Sequence, residues 1–141
     1  MEGVEKSQHP GAEAVICRHD DTVTGIGRGV QRLMEQKSAP TAILVANAYH
    51  YLAVASRLAQ LGRKIPEDVS VVSRDDDLFL SYLVPEPARY VFNSHAFAKS
   101  LIGPISELLE NTALTRRELR LIPEFVRGDS LGRPTELPLK K

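Results

Sequence analysis

The stretch Pro40-Thr-Ala-Ile-Leu-Val-Ala-Asn47, with Leu61-Gly-Arg-Lys-Ile-Pro-Glu-Asp-Val-Ser-Val-Val-Ser-Arg-Asp-Asp76 downstream of it, decides the fold of this chain. Two short apolar runs, 41–46 and 69–73, each end in polar residues, and a segment of helical spacing joins them. Strand, helix and strand in this order form a parallel pair. In an open parallel sheet, ligands bind beyond the carboxyl ends of the strands. Position alone therefore makes Asn47 and Asp75 site candidates. The run 41–46 is apolar throughout, which predicts a strand buried on both faces.

Upstream, Glu-Ala-Val-Ile-Cys-Arg at 13–18 reads as a strand. A helix over about 23–36 follows, capped by Asp21 or Thr22, with Val23, Ile26, Val30, Leu33 and Met34 at three- and four-residue spacings. The helix joining the two strands covers about 49–61 and presents Leu52, Ala55, Leu58 and Ala59 on one face. Gly62 suits its C-terminal cap. Downstream, a long connection over 75–88 carries a short turn near 78–82, and 89–92 reads as a further strand. Ser94 is the expected cap of a helix over about 95–110, which Pro104 should kink or split. Residues 118–127 read as a last strand, at an edge because of Pro123. The sum is an α/β domain: an open parallel sheet with helices on both faces, over residues 13–130. Residues 1–12 are expected to be a linker or disordered, and 131–141 a polar tail.

At 141 residues the chain is one domain by length, with 18 Lys+Arg against 18 Asp+Glu. A nucleic-acid surface normally shows as a basic excess, so this piece is not expected to grip DNA itself. The single cysteine, Cys17, leaves no internal disulfide to form and fits a reducing compartment. No apolar run reaches the roughly 20 residues of a membrane helix. The N-terminus lacks an apolar signal core, so a cytoplasmic chain is expected.

Four polar stretches meet at the carboxyl edge of the expected sheet: His19-Asp20-Asp21, Asn47, Arg74-Asp75-Asp76-Asp77 and Asn93-Ser94. Carboxylates and amides suit the hydroxyls or base edges of a small polar molecule. Asn47 could equally cap its helix, and residues 75–77 could be a solvated loop. His19-Asp20-Asp21 has the residue types of a metal cluster, but no second His or Cys lies at ligand spacing, so no metal is expected. His50 reads as a surface residue and Cys17 as a small buried apolar group. Gly25-Ile-Gly27-Arg-Gly29 lies inside a helical pattern and lacks the context of a phosphate loop. No nucleophile elbow or catalytic set is present, so neither enzyme activity nor a cofactor is expected.

The chain resembles the sensor domain of lactose-repressor/galactose-repressor (LacI/GalR) type transcription regulators over about residues 14–130. The resemblance rests on Pro40-Thr-Ala-Ile-Leu-Val-Ala-Asn47-Ala48 and on Gly62-Arg-Lys-Ile-Pro66-Glu-Asp-Val-Ser-Val-Val-Ser73-Arg-Asp75-Asp76, whose order and spacing match without gaps. Pro85-Glu-Pro-Ala-Arg-Tyr-Val91 and Arg127-Gly-Asp-Ser130 add weaker matches. It implies the C-terminal lobe of a two-lobed, periplasmic-binding-protein-like (type I) fold. An effector, a sugar as the leading expectation and a purine or another metabolite as alternatives, would lie between this lobe and an absent N-terminal one. DNA would be reached only through an absent head. The positions of Asn47, Asp75, Asp20 and Phe92 match cleft positions. The resemblance also implies a homodimer through the helix of Leu52 and the connection around Leu83, with Tyr51, Ala55, Phe79 and Tyr82 nearby. The sequence departs from the pattern at Ala48, Ser73-Arg74, Pro87-Ala-Arg89 and Phe92. A transporter's solute-binding protein, or an enzyme using residues 75–77 to hold a metal for phosphoryl transfer, are the alternatives.

Overall fold

The computed structural model describes residues 13–110, 113 and 120–133. The expectations for residues 1–12, for most of the tail and for the start of the last strand lie outside these. The element order is α1 (Val23–Met34), β1 (Ala42–Val45), α2 (Ala48–Gln60), β2 (Ser70–Ser73), a 3-10 turn (Leu78–Tyr82), β3 (Ala88–Val91), α3 (Ser94–Leu109) and β4 (Glu124–Val126). The four strands form one open sheet in the order β1-β2-β3-β4. The first three are parallel, with Val45 opposite Ser73 and Ser73 opposite Arg89. β4 pairs antiparallel to β3 and, as Pro123 suggests, forms an edge.

Local chemistry explains the element boundaries. Thr22, not Asp21, caps α1: its hydroxyl accepts from the Gly25 amide at 2.9 Å. Asn47 caps α2 by accepting from the Tyr49 amide at 2.9 Å. Gly62 ends α2 at φ +68°, with Arg63 N–H bonded to Leu58 O and Gly62 N–H to Ala59 O. Those two bonds make a Schellman cap, which requires the left-handed conformation that glycine adopts freely. Asn93, rather than Ser94, caps α3, and its side chain accepts from Ala96 N–H. α3 runs through Pro104 as one helix instead of splitting there.

The core is the space between α1, α2 and the sheet. It holds Ile26, Val30 and Met34 of α1, Ala48, Tyr51, Val54 and Leu58 of α2, and Val45, Val69, Val71 and Leu80. The buried stripe of α2 thus differs from the expected one. Leu58 belongs to it, whereas Leu52 is 43 % exposed and Ala59 is exposed. The helix is apolar on two faces, and spacing alone does not tell which one meets the sheet. Arg57 ties the helix pair together, donating to Gln31 on α1 and to Gln60 on its own helix.

Two further expectations are corrected. The run 13–18 forms no strand; it lies beside α1, with the Cys17 sulfur so close to Gly29 that a Cβ there would sit 2.7 Å from it. The glycine allows this approach, and among the described residues the run makes no ladder pairing. β1 is consequently a sheet edge, not a strand buried on both faces: only Val45 is buried and Leu44 is 62 % exposed. α3 buries none of its side chains, and Phe97, Ile102, Ile105, Leu108 and Leu109 stay exposed. Among the described residues, no helix is long and apolar enough to cross a membrane.

Candidate functional site

The register of β1 and β2 settles the relation between Asn47 and Asp75. Val45 pairs with Ser73. Each candidate stands two residues beyond its paired strand residue, so both leave the sheet at the same level on adjacent strands. Parallel strands lie roughly 4.8 Å apart. Asn47 is exposed while it caps α2 through its side-chain oxygen. Capping and rim position are thus combined in one side chain.

The three carboxylates at 75–77 have separate fates. Asp77 caps the 3-10 turn by accepting from Phe79 N–H at 3.3 Å. Asp76 accepts from Arg89 Nε at 2.8 Å. Arg89 also donates to Glu86 Oε1 at 2.8 Å and to the Pro87 carbonyl at 3.2 Å. With its side chain only 14 % exposed, it is held more firmly protonated than an ordinary arginine, first by the bond to Glu86. Asp75 is left with the exposed Arg74, whose Nε is 3.3 Å away, while its backbone carbonyl accepts from the Ser73 hydroxyl. Two of the three carboxylates therefore brace the loop, and Asp75 pairs only with the exposed Arg74 beside it.

Asp20 is bound to its neighbour: it accepts from the Thr22 hydroxyl at 2.7 Å and the Thr22 amide at 3.2 Å. The hydroxyl bond, then the amide bond, holds its carboxyl below the usual aspartate range. Phe92 follows β3 directly and is half exposed, as a ring free to stack would be. The structure also assembles a group that sequence spacing could not reveal. His50, in the first turn of α2, meets His19 edge to face at 5.0 Å between ring centres. The Asp21 carboxylate lies 3.3 Å from His19 Nδ1 and 3.9 Å from His50 Nε2.

The second surface of interest lies on α2. Leu52, Ala55 and Ala59 line a groove of about 360 Å³ together with Ile65, Leu83 and Pro85. Tyr82 stands 76 % exposed on the 3-10 turn, and Phe79 packs on Tyr49 at 5.3 Å. Tyr51 also lines the floor of this groove, but at 2 % exposure it is chiefly a core side chain.

Sequence reasoning also passed over Ser130, although Arg127-Gly-Asp-Ser130 was among the weak matches. Fully buried, Ser130 donates its hydroxyl to Val71 O at 2.5 Å and accepts from Ala88 N–H at 2.9 Å. Its backbone bonds Val71 N–H and Glu86 O, both at 3.0 Å. It thus joins β2 to β3 where their own ladder has not begun.

Residues 2–131 match the model of the periplasmic binding protein-like domain. The chain is 23 % identical over 116 residues to the HTH-type transcriptional repressor PurR of Aliivibrio salmonicida, covering 82 % of this chain and 35 % of that protein. It is 26 % identical over 117 residues to the ribose operon repressor of Haemophilus influenzae, covering 83 % and 35 %. In structure it resembles a LacI family transcriptional regulator from Bifidobacterium animalis subsp. lactis, with a TM-score of 0.72 at 21 % identity over 83 % of this chain and 43 % of that one. The chain spans about a third of the length of these curated relatives. The match over residues 2–131 shows that this chain belongs to the periplasmic binding protein-like domain family.

Proposed function

We propose that this chain is the effector-sensing and dimerising lobe of a cytoplasmic transcription regulator, and that it binds a small polar metabolite, a sugar first of all. The observation that carries this reading is the level placement of Asn47 and Asp75 on adjacent strand ends. An amide and a carboxylate side by side offer one donor–acceptor pair and one strong acceptor, which suits vicinal hydroxyls. Phe92 supplies an apolar ring face at the same edge, and Asp20 closes the rim on the α1 side. The naming of one relative as a ribose operon repressor favours a sugar.

The effector would bridge this rim and a second lobe, in a part of the regulator that this chain does not span. It would favour one angle between the lobes, and a homodimer would carry that angle to the DNA-binding heads. Such a ligand shifts the equilibrium only by its differential affinity for the two arrangements. The groove of Leu52, Ala55 and Leu83, with Phe79 and Tyr82 nearby, is the surface for the second copy. The chemistry is recognition, with no reaction and no cofactor.

The test uses the full-length regulator, screened against a panel of mono- and disaccharides by thermal shift and then titrated calorimetrically. Asp75→Ala should weaken binding of the selected sugar by about 10-fold or more, since a hydrogen bond to a charged group contributes roughly 1.5–3 kcal/mol. It should leave the melting temperature of the ligand-free protein unchanged. An unaltered dissociation constant would remove Asp75 from the site.

A further inference from the structure

His19, Asp21 and His50 come from three places: the loop before α1, the residue preceding its cap, and the first turn of α2. One ring nitrogen of each histidine and one oxygen of Asp21 lie within 4.8 Å of one another. We propose that these three side chains form a binding site for a divalent transition metal of the zinc class. The site lies at the carboxyl edge of the sheet, one helical turn beyond Asn47.

Two features support it, and one existing bond must give way. A tetrahedral ion with bonds of about 2.0–2.1 Å holds its ligand atoms roughly 3.3 Å apart. The His19 Nδ1 to Asp21 separation is 3.3 Å and the His50 Nε2 to Asp21 separation is 3.9 Å, so small rotations of exposed side chains complete the set. The Asp21 amide donates to His19 Nδ1 at 3.2 Å, a bond that an ion at this nitrogen would replace. Finally, Asp21 is the one non-glycine residue with positive φ among those described, at 58°. This backbone places its carboxylate against both rings.

Two imidazoles and one carboxylate favour zinc, cobalt or nickel over magnesium or calcium, which prefer oxygen alone. Three protein ligands leave a fourth position for water or an oxygen of a bound molecule. The histidine side chains are 24 and 23 % exposed and Asp21 is 80 % exposed, so an ion can reach the site from solvent.

The experiment is titration of the chelator-treated chain with Zn²⁺ by calorimetry, with Co²⁺ absorption as a second probe of coordination. One ion per chain is expected. His19→Gln and His50→Gln should each lower the affinity by more than the roughly 10–100-fold typical of losing an outer-shell partner. His95→Gln, on the exposed first turn of α3, should leave it unchanged. Asp21→Asn serves as the third variant, and melting temperatures in chelator confirm that each variant folds. No stoichiometric binding, or binding that survives His19→Gln and His50→Gln together, would overturn the proposal.

Discussion

Ser130 shows how much one small side chain contributes here. Its hydroxyl accepts from the buried Ala88 amide, deep between β2 and β3. Ser130→Ala leaves that amide and the Val71 carbonyl without the hydroxyl, and an unsatisfied buried polar group costs about 1–3 kcal/mol. Urea unfolding of the two proteins should show a loss of that size with an unchanged slope. Tyr51 touches the same place. Burial raises its phenol pKa above the ordinary value, and the Ser130 hydroxyl partly opposes that shift. The fold therefore favours the neutral phenol. Its contribution is complete below about pH 10 and is lost as pH rises through the raised folded value. Tyr51→Phe should remove this part of the alkaline decline in stability, measured by unfolding midpoints between about pH 9 and 11.

At the scale of elements, α2 does two jobs. Ala48, Tyr51, Val54 and Leu58 seal the core, while Leu52, Ala55 and Ala59 face a groove closed by Leu83 and Pro85. A helix apolar on both sides is buried on both sides, or awaits a partner. Leu52→Lys separates the two roles, because its side chain is outside the core. It should leave the melting temperature within a few degrees of the parent while splitting any dimer, as read by sedimentation velocity over a range of concentrations. A dimer that persists would move the interface elsewhere. The 3-10 turn is fastened at its N-terminal flank: Asp77 caps it, and Asp76 ties the preceding loop to Arg89 on β3.

For the whole molecule, the open face matters most. β1 is an edge, Leu44 is exposed and α3 packs no side chain into the core. Exposed apolar groups on this scale mark interfaces. The chain spans about a third of its curated relatives, which agrees with one lobe of a larger machine. Under the proposed function an effector would close the two lobes on one another. Its apparent affinity for the lobe alone should be far weaker than for the full regulator, since one lobe offers only part of the contacts.

The αβ alternation, the cap at Gly62, the edge position of the last strand and the candidacy of Asn47 and Asp75 were all legible in the sequence. Each depends on local spacing: helical period, apolar runs of strand length, and the residues that terminate them. The tertiary structure alone decided the rest. It left 13–18 unpaired, because a strand exists only with a partner. It chose which apolar face of α2 meets the sheet and thereby moved Tyr51 into the core. It divided the carboxylates at 75–77 among Arg74, Arg89 and the Phe79 amide. It also brought His50 against His19 and Asp21, and Ser130 against Val71 and Ala88. These last contacts span about thirty to sixty residues of chain, a separation over which no local pattern carries information about proximity.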